Sequence, residues 1–406
     1  MENTKHENFK KRMEEIYLFI EEKISLIPEN LRKPLQKELD IMKKLIIEAR
    51  APRFAIVGRR GAGKSSILNA IFGSPVAKIG SVKAETQLGK WFPFSDKKGS
   101  MEILDTRGLN EGLDPQKAMS DLKSCLNEKL PDAFIFLNKA KEVDAHINAD
   151  INSLKELYDY VKEEYSYNIP IITVASQVDE LDPKSDHIPP FKEQKLKNIE
   201  TATTHLNDYV NKVIPNSSYK IGISSYLEFD ENNKITFDSR WNIDKLIELL
   251  IEHIPQSAQL ELAKIGQMKS IQKKMARKIV ITASTICSTI ALEPLPFADL
   301  PIITGIQISM IIAIGYLAGY EMNKETAMEF LAAMGINVGS AFVFREIAKA
   351  LVKLIPGFGS GISAGIAFAG TYSIGEAATA YFIDKKSKDE TKLTYDKEFN
   401  KLKDKK

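Results

Sequence analysis

Gly58-Arg59-Arg60-Gly61-Ala62-Gly63-Lys64-Ser65 is a GxxxxGKS run, set directly after the apolar stretch Phe54-Ala55-Ile56-Val57 and directly before Ser66-Ile67-Leu68-Asn69-Ala70-Ile71. Strand, glycine loop and helix in that order are the context a phosphate-binding loop requires. The glycines let backbone N–H groups converge on phosphate oxygens, and the helix N-terminus adds its partial positive charge. The Lys64 ammonium reaches the outer phosphates and the Ser65 hydroxyl ligates Mg²⁺. Gly58, Arg60, Gly61, Ala62, Gly63, Lys64, Ser65 and Ser66 are therefore the expected nucleotide-contacting residues of this loop. A chance glycine-rich turn would not carry both flanks.

A second run, Ile103-Leu104-Asp105-Thr106-Arg107-Gly108, has the form of a strand-end DxxG. In that form the aspartate holds Mg²⁺ through water and the glycine N–H contacts the γ-phosphate. Between the two runs, Thr86 in Lys83-Ala84-Glu85-Thr86 is placed to complete the Mg²⁺ shell, with Ser81 a competing hydroxyl. The expected metal set is thus Ser65, Thr86 and Asp105, and the groups acting on the reacting phosphate are Lys64, Thr86 and Gly108. A third run, Ser176-Gln177-Val178-Asp179, follows the apolar Ile171-Ile172-Thr173-Val174-Ala175. Asp179 can accept from the ring N–H and exocyclic amine of guanine, donors that adenine lacks, and Gln177 can lay its stem over the base. Ser176 stands where asparagine is usual and is expected to make fewer contacts to the phosphate loop. A fourth run, Ile223-Ser224-Ser225, brings Ser224 and Ser225 to the base, a backbone N–H there meeting the guanine O6.

With these four runs in order, the chain resembles the Era-like GTPases of the translation-factor superclass. More narrowly, it resembles bacterial GTPases with a YcjF-type helical domain after the G domain. That narrower likeness rests on Pro294-Leu295-Pro296-Phe297-Ala298-Asp299-Leu300-Pro301, Gln307-Ile308-Ser309-Met310 and Leu354-Ile355-Pro356-Gly357-Phe358-Gly359-Ser360. The layout is also similar to immunity-related and dynamin-like GTPases. The resemblance implies GTP as substrate, GDP as product, Mg²⁺ as cofactor and self-association through the G domain. Where Ras-like switches have a water-positioning glutamine after DxxG, this chain has Leu109, which cannot hydrogen-bond water. Slow intrinsic turnover is therefore expected, accelerated by a partner, a second copy of the chain or a group elsewhere in this one. Arg60 and Arg107 are candidate charges near the phosphates.

The elements that must position these residues follow from the apolar pattern. Strands are expected at Phe54 to Val57, Gly89 to Phe94, Met101 to Leu104, Ala133 to Leu137, Ile169 to Ala175 and Lys220 to Ile223. Helices between them, among them Ser65 to Phe72, Asp150 to Glu164 and Lys192 to Val213, predict an α/β fold with a mostly parallel six-stranded sheet. Two amphipathic helices precede the first strand, at residues 1–51, and are expected to pack on the far end of the chain. The expected organisation is these helices, a GTPase domain over 52–256, an apolar all-α domain over 257–384 and a lysine-rich tail over 385–406.

Composition narrows the function classes. The chain has 406 residues, 56 basic and 54 acidic, for a net charge of +2, so nothing points to nucleic acid. Cys125 and Cys287 make no metal or disulfide pattern, which suits a reducing compartment. The polar N-terminus carries no secretory signal, and a cytoplasmic location is expected, with association at the inner face of the cell membrane as the open question. Ile279 to Leu292, Ile302 to Tyr320, Leu331 to Phe344 and Leu354 to Gly375 hold no charged residue. Lipid contact through residues 279–382 and a buried bundle are both compatible with that, since Ile302 to Tyr320 approaches the roughly 20 residues that cross a bilayer and Gly315 to Gly319 repeats small residues at four. The alternative to a hydrolase is a nucleotide-binding module with little turnover that serves as an assembly factor.

Overall fold

The computed structural model describes residues 2–25, 29–77, 90–106, 114–143, 147–291, 299–322, 330 and 364–403. The chain divides into two compact units, Ala51–Gly266 and the pair Met1–Arg50 with Gln267–Lys406.

The first of these is built on a six-stranded sheet. Its strands are β1 (Arg53–Val57), β2 (Trp91–Asp96), β3 (Gly99–Asp105), β4 (Ala133–Lys139), β5 (Ile171–Ser176) and β6 (Ser218–Gly222), in the order β2-β3-β1-β4-β5-β6. All neighbours run parallel except the β2–β3 hairpin. The central strands read as unbroken apolar runs because both faces are covered: Phe54, Ala55, Ile56 and Val57 of β1 and Ala133 to Leu137 of β4 are all buried. Edge strand β2 alternates instead and tolerates Pro93, whose missing N–H would break a central ladder. Helices α3 (Lys64–Phe72), α4 (Pro115–Glu128), α5 (Ile147–Tyr165) and α6 (Glu193–Val213) connect the strands. The six expected strands and three expected helices occur within three residues at each end, as fraying and cap geometry allow.

One element was not anticipated. Strands β7 (Leu227–Phe229) and β8 (Ile235–Asp238) form a small separate hairpin. Its turn is set by the Asp230 carboxylate, which accepts from the backbone N–H of Asn232 at 2.9 Å and of Lys234 at 2.8 Å, with Asn233 at φ +61°. Three- and four-residue strands of mixed polarity give no period to read. Helices α7 (Ile243–His253) and α8 (Gln256–Gly266) complete the unit, α8 burying Ala258, Leu260, Leu262, Ala263 and Ile265.

The second unit is all α: α1 (Glu2–Ile24), α2 (Glu29–Met42, continued by a π turn over Lys43–Ile47), α9 (Lys269–Ile290), α10 (Asp299–Leu317), α11 (Ala364–Phe382) and α12 (Lys388–Lys403). The N-terminal helices do pack on the far end of the chain, α1 against α10 and α2 against α9. Phe9 stacks on Tyr316 with ring centroids 3.9 Å apart. Glycine permits close approach of α11 to α9, since a Cβ at Gly375 would sit 2.4 Å from Val280 Cγ2. Helix α10 is apolar all round because it is buried all round: Ile303, Ile306, Met310, Ala313, Ile314 and Leu317 are each at most 1 % exposed. Of its polar side chains, Ser309 donates to the Gly305 carbonyl at 2.9 Å and Gln307 Nε2 to Thr371 Oγ1 of α11 at 2.9 Å, while Gln307 Oε1 has no hydrogen-bond partner among the described residues. Among the described residues no helix is long and apolar enough to cross a membrane. The proline-containing runs 294–298 and 354–360 lie outside the described residues.

Candidate nucleotide site

Parallel strands β1, β3 and β5 all end at one edge of the sheet, and the candidate residues sit there. Asp105 closes β3 paired beside Ile56 of β1, so its carboxylate is one strand away from the start of the glycine loop. Thr106 fastens this strand end, its hydroxyl donating to the Ile56 carbonyl at 3.0 Å. Gly58 leaves β1 pressed against β4: a Cβ there would lie 2.3 Å from the Leu137 carbonyl oxygen. Gly61 at φ +79° and Gly63 at φ +98° hold conformations that L side chains resist, and Gly63 is the N-cap of α3. Ser65 and Ser66 follow in the first turn of that helix, where its unpaired N–H groups point.

Lys64 is buried, with its ammonium folded back over the loop, donating to the Arg59 carbonyl at 2.8 Å and to the Gly58 carbonyl. It is thus already aimed within the loop rather than outward. Arg60 is exposed. The neighbouring arginine, which the motif alone did not single out, is anchored to a helix: Arg59 Nε donates to Asp150 Oδ2 at 2.7 Å, and Asp150 is itself buried on α5.

The third run backs this loop. Ser176 Oγ donates to the Ala62 carbonyl at 2.7 Å and lies 3.2 Å from the Asn138 carbonyl. The short hydroxyl therefore does reach the loop, because β5 ends directly behind it. Gln177, at φ +55°, donates from Nε2 to the Gly61 carbonyl at 2.8 Å, so its stem crosses the loop as a base-covering residue would. Asp179 sits in a 3₁₀ turn, Val178–Glu180. The fourth run abuts the third, Ile223 N–H donating to the Ala175 carbonyl at 2.9 Å and Val178 N–H to the Ile223 carbonyl at 3.3 Å. Ser224 and Ser225 are buried, and the Ser224 hydroxyl has no hydrogen-bond partner among the described residues. Thr86, Arg107, Gly108 and Leu109 lie outside the described residues.

Three residues of this site escaped the motifs: Asp150, Asn138 and Lys195, the last joined to the Asp179 carbonyl at 2.7 Å. Each acts from a distant element through a backbone or ion-pair contact, and no spacing rule marks such a partner. Ser65 and Asp105 supply hard oxygen donors beside the loop, a set that fits Mg²⁺. Among the described residues no cluster of three or more His, Cys, Asp or Glu side chains could hold a metal.

Residues 53–177 match the family described as 50S ribosome-binding GTPase. An uncharacterized protein of Methanocaldococcus jannaschii is 26% identical over 163 residues, 36% of this chain and 83% of its own length. The uncharacterized protein YfjP of Escherichia coli is 23% identical over 248 residues, 60% of this chain and 78% of its own. Among solved structures, Toc33 of Arabidopsis thaliana aligns over 59% of this chain and 95% of its own at 13% identity and a TM-score of 0.36. A member of an oligomerised bacterial dynamin pair aligns over 98% of this chain and 72% of its own at 13% identity and a TM-score of 0.33. The run from β1 to the Ser176-Gln177 turn is a P-loop GTPase domain.

Proposed function

We propose that this protein binds GTP with Mg²⁺ and hydrolyses it to GDP and phosphate, acting as a nucleotide-dependent switch or mechanical GTPase. The observation that carries the reading is the convergence of the Gly58–Ser65 loop, Asp105 and the Ser176–Asp179 turn at one edge of the sheet. Phosphoryl transfer asks a protein chiefly to neutralise charge and hold an in-line water. Lys64 and the N–H groups of the loop and first turn of α3 meet the first demand, and Ser65, Asp105 and Thr86 are the residues that would hold Mg²⁺, which neutralises charge on the β- and γ-phosphates when bound. Asp179 selects guanine, with Gln177 over its face.

Leu109 provides no hydrogen bond for a water, so turnover is slow unless a second copy or another partner supplies the missing group. A phosphate-release rate per molecule that rises with protein concentration would identify self-association as the accelerator. Many turnovers per second at high dilution would overturn the slow-switch reading. Calorimetry with GDP, GTP and Mg²⁺ tests the reading as a whole: Lys64→Ala lowers affinity roughly 10- to 100-fold, the size of a lost hydrogen bond to a charged group. Retained heat of binding in that variant would refute it.

The helical unit is the proposed output. GTP would order the segment around Thr86 and the loop from Arg107 to Pro115, and the helices flanking the GTPase domain would respond. Identical hydrogen-exchange profiles over residues 260–383 with GDP and with a non-hydrolysable GTP analogue would remove that idea. Association with a membrane through residues 279–382 is tested by whether the protein sediments with lipid vesicles.

A further inference from the structure

The connection from β5 to α6 carries Asp179 and runs from Gln177 to Lys192 with little regular structure beyond one 3₁₀ turn. A loop of this length pays a large entropic cost to hold one carboxylate in place. Here it is gathered around a single side chain. Lys195, in the first turn of α6, is 0 % exposed and donates to the carbonyl oxygens of Asp179 at 2.7 Å, Leu181 at 2.5 Å and Pro183 at 3.3 Å. All three N–H donors of the ammonium are thus spent on backbone of the same loop. The Phe191 ring lies 5.4 Å from the Nζ. Two further bonds pin the same segment: Asn198 Nδ2 donates to the Asp182 carbonyl at 2.7 Å, and Asp186 Oδ2 accepts from the Lys192 N–H at 2.8 Å.

A cation in this position is costly. Burial pushes the Lys195 ammonium below its usual pKa range, while the nearby Asp186, Asp179 and Asp182 oppose that and Lys141 adds to it. A methionine would fill the same space with no desolvation penalty. What a methionine could not do is draw three carbonyls to one point, as a bound metal ion would. The carbonyl nearest the start of that set belongs to the residue expected to read the base.

We propose that Lys195 is the positioning residue for guanine recognition: by holding the Asp179 carbonyl it fixes the 3₁₀ turn so that the Asp179 carboxylate meets both the ring N–H and the exocyclic amine of guanine. Lys195 itself touches no nucleotide. The proposal rests on the guanine-nucleotide reading above and deepens it.

The test compares GDP with IDP, whose hypoxanthine base keeps the ring N–H and lacks the exocyclic amine. In the full-length protein GDP binds roughly tenfold or more tighter than IDP, the worth of one hydrogen bond to a carboxylate. Lys195→Met narrows that ratio to within about threefold, because a loosened carboxylate no longer engages both donors. The ratio is taken on one sample, so a reduced folded fraction cancels. Equal loss for both nucleotides, with the ratio kept, would mean a merely structural lysine and would overturn the proposal. Should Lys195→Met fail to fold, Asn198→Ala loosens the same loop from its exposed side; a smaller narrowing is expected, and an unchanged ratio overturns the proposal equally. Asp179→Asn separates the levels. If it leaves the ratio intact, Asp179 does not read the base and Lys195 has nothing to position; if the unaltered protein binds neither GDP nor GTP, the guanine-nucleotide reading itself has failed.

Discussion

Gly58 shows how one residue type can be dictated by a contact invisible in the motif. The consensus asks for glycine at the head of the loop, but the physical reason here is the Leu137 carbonyl, 2.3 Å from where a Cβ would be. Gly58→Ala must push β1 and β4 apart or tilt the loop. The expected loss is about 1–3 kcal/mol of unfolding free energy, the range for overpacking a tight interior, together with weaker nucleotide binding. A variant as stable as the parent in urea denaturation would show that the strands yield freely. Ser176 makes the complementary point. A hydroxyl stands where an amide is usual, yet it reaches the Ala62 carbonyl at 2.7 Å, so the end of β5 lies within a serine's reach of the loop.

At the scale of elements, three ion pairs, Arg59–Asp150, Arg53–Glu102 and Lys129–Glu102, tie the loop and the strands to their surroundings. Arg59 and Asp150 link the glycine loop to α5, the carboxylate buried and the guanidinium partly exposed. Asp150→Asn keeps the shape and removes the charge, leaving a half-satisfied arginine. Screening of its exposed side limits the cost to about 1–2 kcal/mol of stability. Nucleotide affinity should fall with it, since the loop loses its tether, and unchanged GDP affinity would show the tether is dispensable. On β3, Glu102 accepts from Arg53 Nε at 3.0 Å and from Lys129 Nζ at 2.8 Å. Burial works against the charged form, but Lys129 and Arg53 together hold the carboxyl below the usual carboxylate range. A depressed folded-state pKa means the contribution is fully present above the ordinary value near 4.3 and is lost as pH falls through the lower folded one. Glu102→Gln should therefore flatten the acid limb of the stability-versus-pH curve and lower the neutral plateau. Parallel curves for the two proteins between about pH 2 and 6 would exclude that linkage.

At the scale of the whole molecule, each unit carries one buried thiol, Cys125 in the α/β unit and Cys287 in the helical one. Burial pushes the Cys287 thiol up to about 12, with a bond to Thr371 acting in the opposite sense, and burial together with Glu128 and Asp121 raises that of Cys125. The thiolate is the reactive form, so neither should react with a disulfide reagent at neutral pH while its unit is folded. Labelling under increasing denaturant, read out by which cysteine is modified, then reports the unfolding of each unit separately. A thiol that reacts in native buffer at the rate of a small-molecule thiol would contradict its burial.

The glycine loop, the Asp105 strand end, the Asp179 turn and the six strands were legible because each is written in contiguous residues: an apolar run, a turn chemistry, a helix start. The N-terminal amphipathic helices also announced that they needed a partner, and Phe9 against Tyr316 shows where α1 found it. Only the tertiary structure decided that Asp150 would hold Arg59, that Ser176 would stand behind Ala62 and that Lys195 would gather the loop bearing Asp179. It also decided that α10, apolar over most of its length, would be enclosed by α1, α9 and α11. Local pattern records what a stretch of chain can form on its own, whereas a buried ion pair, a carbonyl clamp or an enclosed helix exists only once residues far apart in sequence have closed the distance, and the entropy of closing it is met by packing that no short window contains.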